Sequence, residues 1–385
     1  MDEYQRIASK KERLILGIMS GTSLDGIDLA LVRLAGTGLE MQIELVKFVT
    51  EAMPDKWRAR IRNAFDTHTG EICTINFDLG YFLSDKILHF CREADLPLEN
   101  LDAIGCHGQT LYHVNNHSTL QTGEADVIAY QTRTLVISDF RTADIAAGGS
   151  GAPLVPYLDQ ILFRNRTGPI ALQNIGGIGN VTYLPADPER NIIAFDTGPG
   201  NAILNELVEN ITNSEHSFDR DGFLSVQGQC NPFILSRLLK HPYFSIEPPK
   251  STGREAFGAG YIKQLLSEIS GEPVSQIDLL RTLVSLVTHS IADAYHRNFP
   301  LPDSIFLSGG GAHHPIILKE LRELLGEERV SVFQSENGIS ADAKEAVAFA
   351  VLAHERINNT PSNLPSVTGA KKRVTLGKIS IPYLD

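Results

Sequence analysis

Gly17-Ile18-Met19-Ser20-Gly21-Thr22-Ser23-Leu24-Asp25-Gly26-Ile27-Asp28 is the stretch whose reading decides the fold. Apolar residues of strand character lead into it over 14–17 and leave it over 28–34. Between them, glycine and small hydroxyl residues allow the backbone to turn tightly and leave its N–H groups bare. Residues 39–50 read as a third strand, so the chain opens as a meander of strand, Gly-rich loop and strand. A Walker loop would instead run from a strand into a helix and end in Gly-Lys-Ser/Thr, an ending that this loop lacks. Bare amides suit phosphate oxygens, and carboxylates such as Asp25 and Asp28 suit the magnesium ion that accompanies a nucleotide.

Working outward, two more runs share this chemistry: Asp196-Thr197-Gly198-Pro199-Gly200-Asn201 and Leu307-Ser308-Gly309-Gly310-Gly311-Ala312-His313-His314. Both follow apolar strand-like segments. The second meander begins with strands over 170–174, 181–184 and 192–195 around the turn Gly176-Gly177-Ile178-Gly179-Asn180. Each half thus opens in the same way, as an internal repeat would. Three such loops in one chain point to a phosphoryl-transfer site built between two lobes, with ordinary strand-to-loop turns as the alternative reading of each. The expected lobes are residues 1–140, carrying the first loop, and 141–385, with the tail from about 361 returning to the first lobe. The glycines of 148–151 are expected to form a flexible crossing between lobes.

The bulk properties agree with a folded globular protein. A chain of 385 residues is long enough for two cores. Its 42% hydrophobic and 21% charged content is that of a globular protein, and a net charge of −12 speaks against a nucleic-acid surface. No apolar run is long enough to span a bilayer, and residues 1–13 are polar, so a cytoplasmic protein with no membrane partner is expected. Cys73, Cys91, Cys106 and Cys230 form no zinc-like pattern and read as reduced thiols. Helices are expected over 56–65, 76–94, 127–132, 201–210, 278–298 with Asp278 as its N-cap, 317–325 and 341–356, and strands over 101–106, 134–138 and 304–307.

These motifs, joined by Gly105-Cys106-His107-Gly108-Gln109-Thr110 and Asp139-Phe140-Arg141, together resemble the anhydro-N-acetylmuramic acid kinase family over residues 14–378. The resemblance implies an α/β, two-lobe, actin-like (ribonuclease H-like) duplicated fold with a central interlobe cleft. It implies ATP and Mg2+ as cofactors, an anhydro-sugar as the small-molecule substrate, and a homodimer. The implied reaction phosphorylates the 6-oxygen of 1,6-anhydro-N-acetylmuramic acid while water opens the anhydro bridge, a step in the recycling of cell-wall fragments. A levoglucosan-type sugar kinase and a non-catalytic actin-like nucleotide-binding module are the alternatives.

Carried over position by position, the resemblance makes Asp196 the general base for the attacking water. Gly21, Thr22, Ser23, Leu24, Asp25, Gly26, Ile27 and Asp28 meet the nucleotide, as do Gly198 and Gly200. Gly309, Gly310 and Gly311 allow close approach of the adenosine. Asp28 and Glu345 face the metal; Gln109, Thr110 and Asn201 bind the sugar. Arg141, with its planar fork, takes the substrate carboxylate. His107 is either a sugar ligand or a satisfied histidine at a strand end, and the adjacent pair His313 and His314 reads as nonmetal.

Overall fold

The structure, a computed structural model, describes residues 3–382 apart from 22, 23, 25, 65, 66, 115, 188 and 189. The chain divides into two compact units: residues 1–164 with 335–385, and residues 165–334.

In the first unit, β1 (Glu12–Ser20), β2 (Gly26–Ala35) and β3 (Gln42–Ala52) form the expected antiparallel meander. β4 (Ala103–Val114) then pairs parallel to β1, β5 (Ser118–Thr122) folds back on β4 as a hairpin, and β6 (Leu135–Ser138) pairs parallel to β4. The second unit repeats the plan. β7 (Ile170–Ile175), β8 (Ile178–Leu184) and β9 (Ile193–Pro199) form an antiparallel meander, β10 (Ser304–Ser308) lies parallel to β7, and β11 (Val330–Val332) lies parallel to β10. Spatial orders β3-β2-β1-β4-β6 and β9-β8-β7-β10-β11 are the same topology, so the duplication visible in the sequence is a duplication of fold, of the ribonuclease H-like kind.

Both sheets are covered by apolar helices. Helix Thr69–Glu93 buries Ile75, Leu79, Leu83 and Ile87 on the first sheet, and helix Gln276–Asn298 runs through the core of the second unit. Helix Lys344–Ile357 sits so close to the first sheet that Gly17 and Gly105, paired across β1 and β4, are required there. A Cβ at Gly17 would stand 1.9 Å from the Ala346 carbonyl oxygen, and one at Gly105 2.3 Å from that of Phe349. This packing is why residues 335–385 join the first unit, where the sequence suggested a single second lobe of 141–385. Lys378–Ser380 adds an antiparallel strand beside β6, returning the tail to that sheet.

Residues 148–151 differ from expectation. They lie inside the first unit, and the side chain of Asp144, its carbonyl and the Thr368 carbonyl hold the N–H groups of Gly151, Gly149 and Ser150 at 2.8–2.9 Å. A segment with its amides tied in this way is a fixed corner, not a crossing. The N-cap of helix Gln276–Asn298 is Ser275, three residues before the expected Asp278. Ser275 Oγ accepts from Asp278 N–H at 3.0 Å, a side-chain N-cap, and its own hydroxyl donates to the Asp278 carboxylate at 2.7 Å. His107 to Thr110, expected to lead out of the strand, continue as β4 because β5 supplies ladder partners that the sequence did not advertise.

Candidate active site

The residues expected to meet phosphate lie in the first unit, in and beside the loop between β1 and β2. Thr22, Ser23 and Asp25 lie outside the described residues. Gly21 and Leu24 close a turn, Leu24 N–H donating to the Gly21 carbonyl at 3.2 Å with φ of 61° at Leu24. The side chains of Leu24 and Ile27 are buried in the core, so these residues have only backbone to offer a ligand. Gly26 packs against β3, where an added Cβ would meet Thr50 and the Glu51 carbonyl.

Asp28 stands opposite Thr50 on β3, whose hydroxyl donates to its carboxylate at 2.6 Å. Burial raises the Asp28 pKa, the Thr50 bond opposes the rise, and the negative charge of Asp342 adds to it. Glu345 is open to solvent yet has protein on most sides. That surrounding mass raises its pKa first; Arg141 pulls the other way and Asp28 pushes it further up. Two hard oxygen donors that repel one another fit a small divalent cation. Among the described residues no group of three or more potential metal ligands is assembled, so magnesium here would complete its shell with phosphate oxygens and water, its usual habit.

Arg141 is half-buried, and burial lowers its pKa to about 10, with Glu345 opposing the fall. Its Nε and Nη2 donate to His107 Nε2 at 3.1 and 2.9 Å, and its Nη1 donates to the Gly151 carbonyl at 2.9 Å. His107 is therefore a satisfied histidine. Gln109 is buried and committed too: its Oε1 accepts from Ser20 Oγ at 2.7 Å, and its Nε2 donates to the Thr110 and Gly21 carbonyls at 3.2 and 3.5 Å. It fastens the end of β1 and the β1–β2 loop to β4, which leaves it poorly placed as the expected sugar ligand. Thr110 accepts from Gln121 at 3.1 Å, a bond that does not spend its own O–H. The Cys106 thiol, buried and pushed up to about 12, is no nucleophile.

In the second unit Asp196 lies on β9 where the register slips: Asn180 faces Asp196 and Gly179 faces Gly198, leaving Thr197 as the extra residue of a bulge. The half-buried carboxyl has a pKa raised to about 6 by burial; Thr252 N–H, donating to Oδ2 at 2.9 Å, lowers it, and Glu255 raises it. Tyr243 OH donates to the Asp196 carbonyl at 2.6 Å, and Asp196 N–H donates to the Lys250 carbonyl at 3.2 Å. Lys250 in turn places its ammonium over the Tyr243 and Phe195 rings, 4.8 and 5.6 Å from their centroids. Sequence reasoning missed these three supports. The one signal was the polar loop after Pro248-Pro249.

Of the remaining predicted residues of this unit, Gly200, Asn201, Gly309 and Gly311 come together around residues 174–177. Asn201 N–H donates to the Gly176 carbonyl at 2.7 Å and its side-chain amide to the Ile175 carbonyl at 3.1 Å, while Gly200 N–H donates to the Gly177 carbonyl at 3.0 Å. At Gly309, where φ is 78°, a Cβ would stand 2.5 Å from Asn174 Oδ1, and at Gly311 one would stand 2.3 Å from Ile175. At Gly198 it would meet Phe244 at 2.8 Å, and at Gly200 the Gly176 carbonyl at 2.3 Å. These four glycines are thus required by protein packing; Gly310, 3.3 Å from Asn201, is the least confined of the set. His314 caps helix Pro315–Leu325 through Nδ1, which accepts from Ile317 N–H at 3.4 Å.

A family model for anhydro-N-acetylmuramic acid kinase matches residues 13–382, a span that includes both meanders and every loop described above. The chain belongs to the anhydro-N-acetylmuramic acid kinase family. It is 44% identical to the protein of that name from Caldanaerobacter subterraneus subsp. tengcongensis, over 99% of this chain and 100% of that one. The anhydro-N-acetylmuramic acid kinase of Bacillus thuringiensis subsp. konkukian is also 44% identical, over 96% of this chain and 100% of its own. A ROK family glucokinase from Streptomyces griseus, solved in complex with glucose and AMPPNP, aligns with 88% of this chain and 98% of its own at 11% identity and a TM-score of 0.37; the fold assignment rests on strand order instead. No helix among the described residues of this anhydro-N-acetylmuramic acid kinase family member is long and apolar enough to cross a membrane.

Proposed function

We propose that the chain transfers the γ-phosphoryl group of ATP to the 6-oxygen of 1,6-anhydro-N-acetylmuramic acid while water opens the anhydro bridge, giving N-acetylmuramate 6-phosphate and ADP. The observation that carries this reading, beyond family membership, is Asp196. One of its oxygens is fixed by a backbone N–H, and its pKa is about 6, so near neutral pH it is an ionised base with appreciable proton affinity. Asp196 takes the proton of a water molecule as its oxygen bonds to C1. The C1–O6 bond breaks and its electron pair stays on O6, which bonds to the γ-phosphorus as the bond from that phosphorus to the β,γ-bridging oxygen breaks and ADP leaves, so that no separate general acid is needed. Attack opposite the bridge inverts C1 through an oxocarbenium-like transition state.

Arg141 pairs with the lactyl carboxylate through the N–H groups its internal bonds leave over. Asp28 and Glu345 would hold magnesium, which supplies charge neutralisation at the phosphates. Backbone N–H groups of the first loop and of 309–311 serve the nucleotide. Incubating the purified chain with ATP and 1,6-anhydro-N-acetylmuramic acid tests the reading. Equimolar ADP and N-acetylmuramate 6-phosphate are expected, with far slower turnover of levoglucosan. ADP release without a phosphorylated sugar would replace the reading with that of a nucleotide-binding module.

A further inference from the structure

Arg141 is held from two sides. On one, His107 Nε2 receives both Nε–H and an Nη2–H. The other ring nitrogen of His107, Nδ1, lies 2.9 Å from the Gly108 carbonyl oxygen. A carbonyl can only accept, so Nδ1 carries the ring proton and Nε2 presents its lone pair to the guanidinium. The buried imidazole is itself wedged against Phe349 of helix Lys344–Ile357, with ring centroids 4.6 Å apart. On the other side, the Gly151 carbonyl that receives Nη1–H belongs to the corner tied down by Asp144. Fully buried Asp144 accepts from Gly151 N–H at 2.8 Å through Oδ2, and from Asn363 Nδ2 and Thr368 Oγ1 at 2.7 and 2.8 Å through Oδ1.

Three of the five guanidinium N–H groups are spent in this way, leaving one on each terminal nitrogen for a carboxylate. Glu345 is a competing anion whose field reaches Arg141. An arginine free to rotate could turn toward that carboxylate, so what holds its plane also decides which anion it serves. We propose that His107 and Asp144 are positioning residues that fix the Arg141 guanidinium and thereby set the preference for a sugar bearing a carboxylate. The inference rests on the reading of Arg141 as the carboxylate-binding residue. Neither His107 nor Asp144 touches substrate in this account.

The test compares direct binding, by calorimetry without nucleotide, of 1,6-anhydro-N-acetylmuramic acid and 1,6-anhydro-N-acetylglucosamine, which differ only in the lactyl group. Arg141→Ala, as the reference variant, should weaken the acidic sugar much more than the neutral one. His107→Leu removes the acceptor and should weaken the acidic sugar selectively, by about tenfold or more, the scale of a hydrogen bond to a charged group. His107→Gln, which can place an oxygen near Nε2, should recover most of that loss. In the Arg141→Ala background the selective effect of His107→Leu should vanish. Equal weakening of both sugars by His107→Leu, or none, overturns the inference while leaving Arg141 in place. Equal weakening by Arg141→Ala overturns the carboxylate reading itself, and the inference with it. Should His107→Leu fail to fold, Asp144→Asn decides: a selective loss of about threefold or more supports the inference, and an unselective one overturns it.

Discussion

Replacing Asp196 by Asn separates the proposed base from every other part of the site. Asn keeps an oxygen to accept from Thr252 N–H and leaves the bonds of the Asp196 backbone to Tyr243 and Lys250 untouched, so the loop should stay where it is. What disappears is proton affinity. With a pKa of about 6, the wild-type carboxyl is predominantly ionised at pH 7.5, so most molecules have the base form. Loss of a general base commonly costs about 10²–10⁴-fold, or ~3–5 kcal/mol of barrier. The loss should fall on kcat, with the sugar dissociation constant changed less than about threefold. Wild-type kcat/KM should also climb with pH up to about 6 and level off above, as Asp196 loses its proton.

Stability should move the other way. Burial raises the folded-state pKa of Asp196 from 3.8 to about 6, so the native state favours the protonated form and pays for the charge at neutral pH. Stability is fullest below 3.8 and falls as pH rises through about 6. Asn carries no charge, so the variant should be more stable than wild type near pH 8 by about 1–3 kcal/mol. That advantage should shrink as pH falls from 6 and be gone below 3.8. Thermal unfolding at both pH values reads this, and coupled detection of ADP with chromatography of the sugar phosphate reads the rate. A variant that still phosphorylates the anhydro-sugar at near wild-type rate would refute the assignment of Asp196 as base.

Asp28→Asn should raise the magnesium concentration needed for half-maximal turnover about tenfold or more, since one of the two proposed anionic oxygen ligands is lost; an unchanged magnesium titration would remove Asp28 from the proposed metal site. Gly105→Ala drives a methyl to 2.3 Å from the Phe349 carbonyl and should destabilise the first unit by ~3 kcal/mol or more, read as a fall in the denaturant midpoint. Ser275→Ala removes the side-chain N-cap of helix Gln276–Asn298 and should cost ~1 kcal/mol, with no change in catalytic constants.

Much of this protein was legible from its residues because the relevant physics is local. Alternating apolar residues around Gly-rich turns specify a meander wherever they occur, and two such signatures were enough to expect a repeated fold. Motif loops at strand ends follow from the same reading, since turning a chain tightly restricts residue type. The capping of helix Gln276–Asn298 was missed narrowly, because Ser275 and Asp278 share the cap and either residue looks like its owner.

Other features belong to the path of the chain. That helix Lys344–Ile357 presses on Gly17 and Gly105 joins segments more than 200 residues apart, and no local pattern encodes such a partner. The same holds for Arg141 and His107, 34 residues apart, and for Asp196 and the Thr252 amide, 56 apart. Asp and Arg were recognisable as chemistry-bearing types, but which donors they spend internally and how far burial moves their pKa depend on neighbours brought in from remote sequence. Residue identity by itself determined which groups can react. Tertiary structure alone decided which of them are held, aimed and partly stripped of water, because solvation and hydrogen-bond geometry are properties of the space around a side chain.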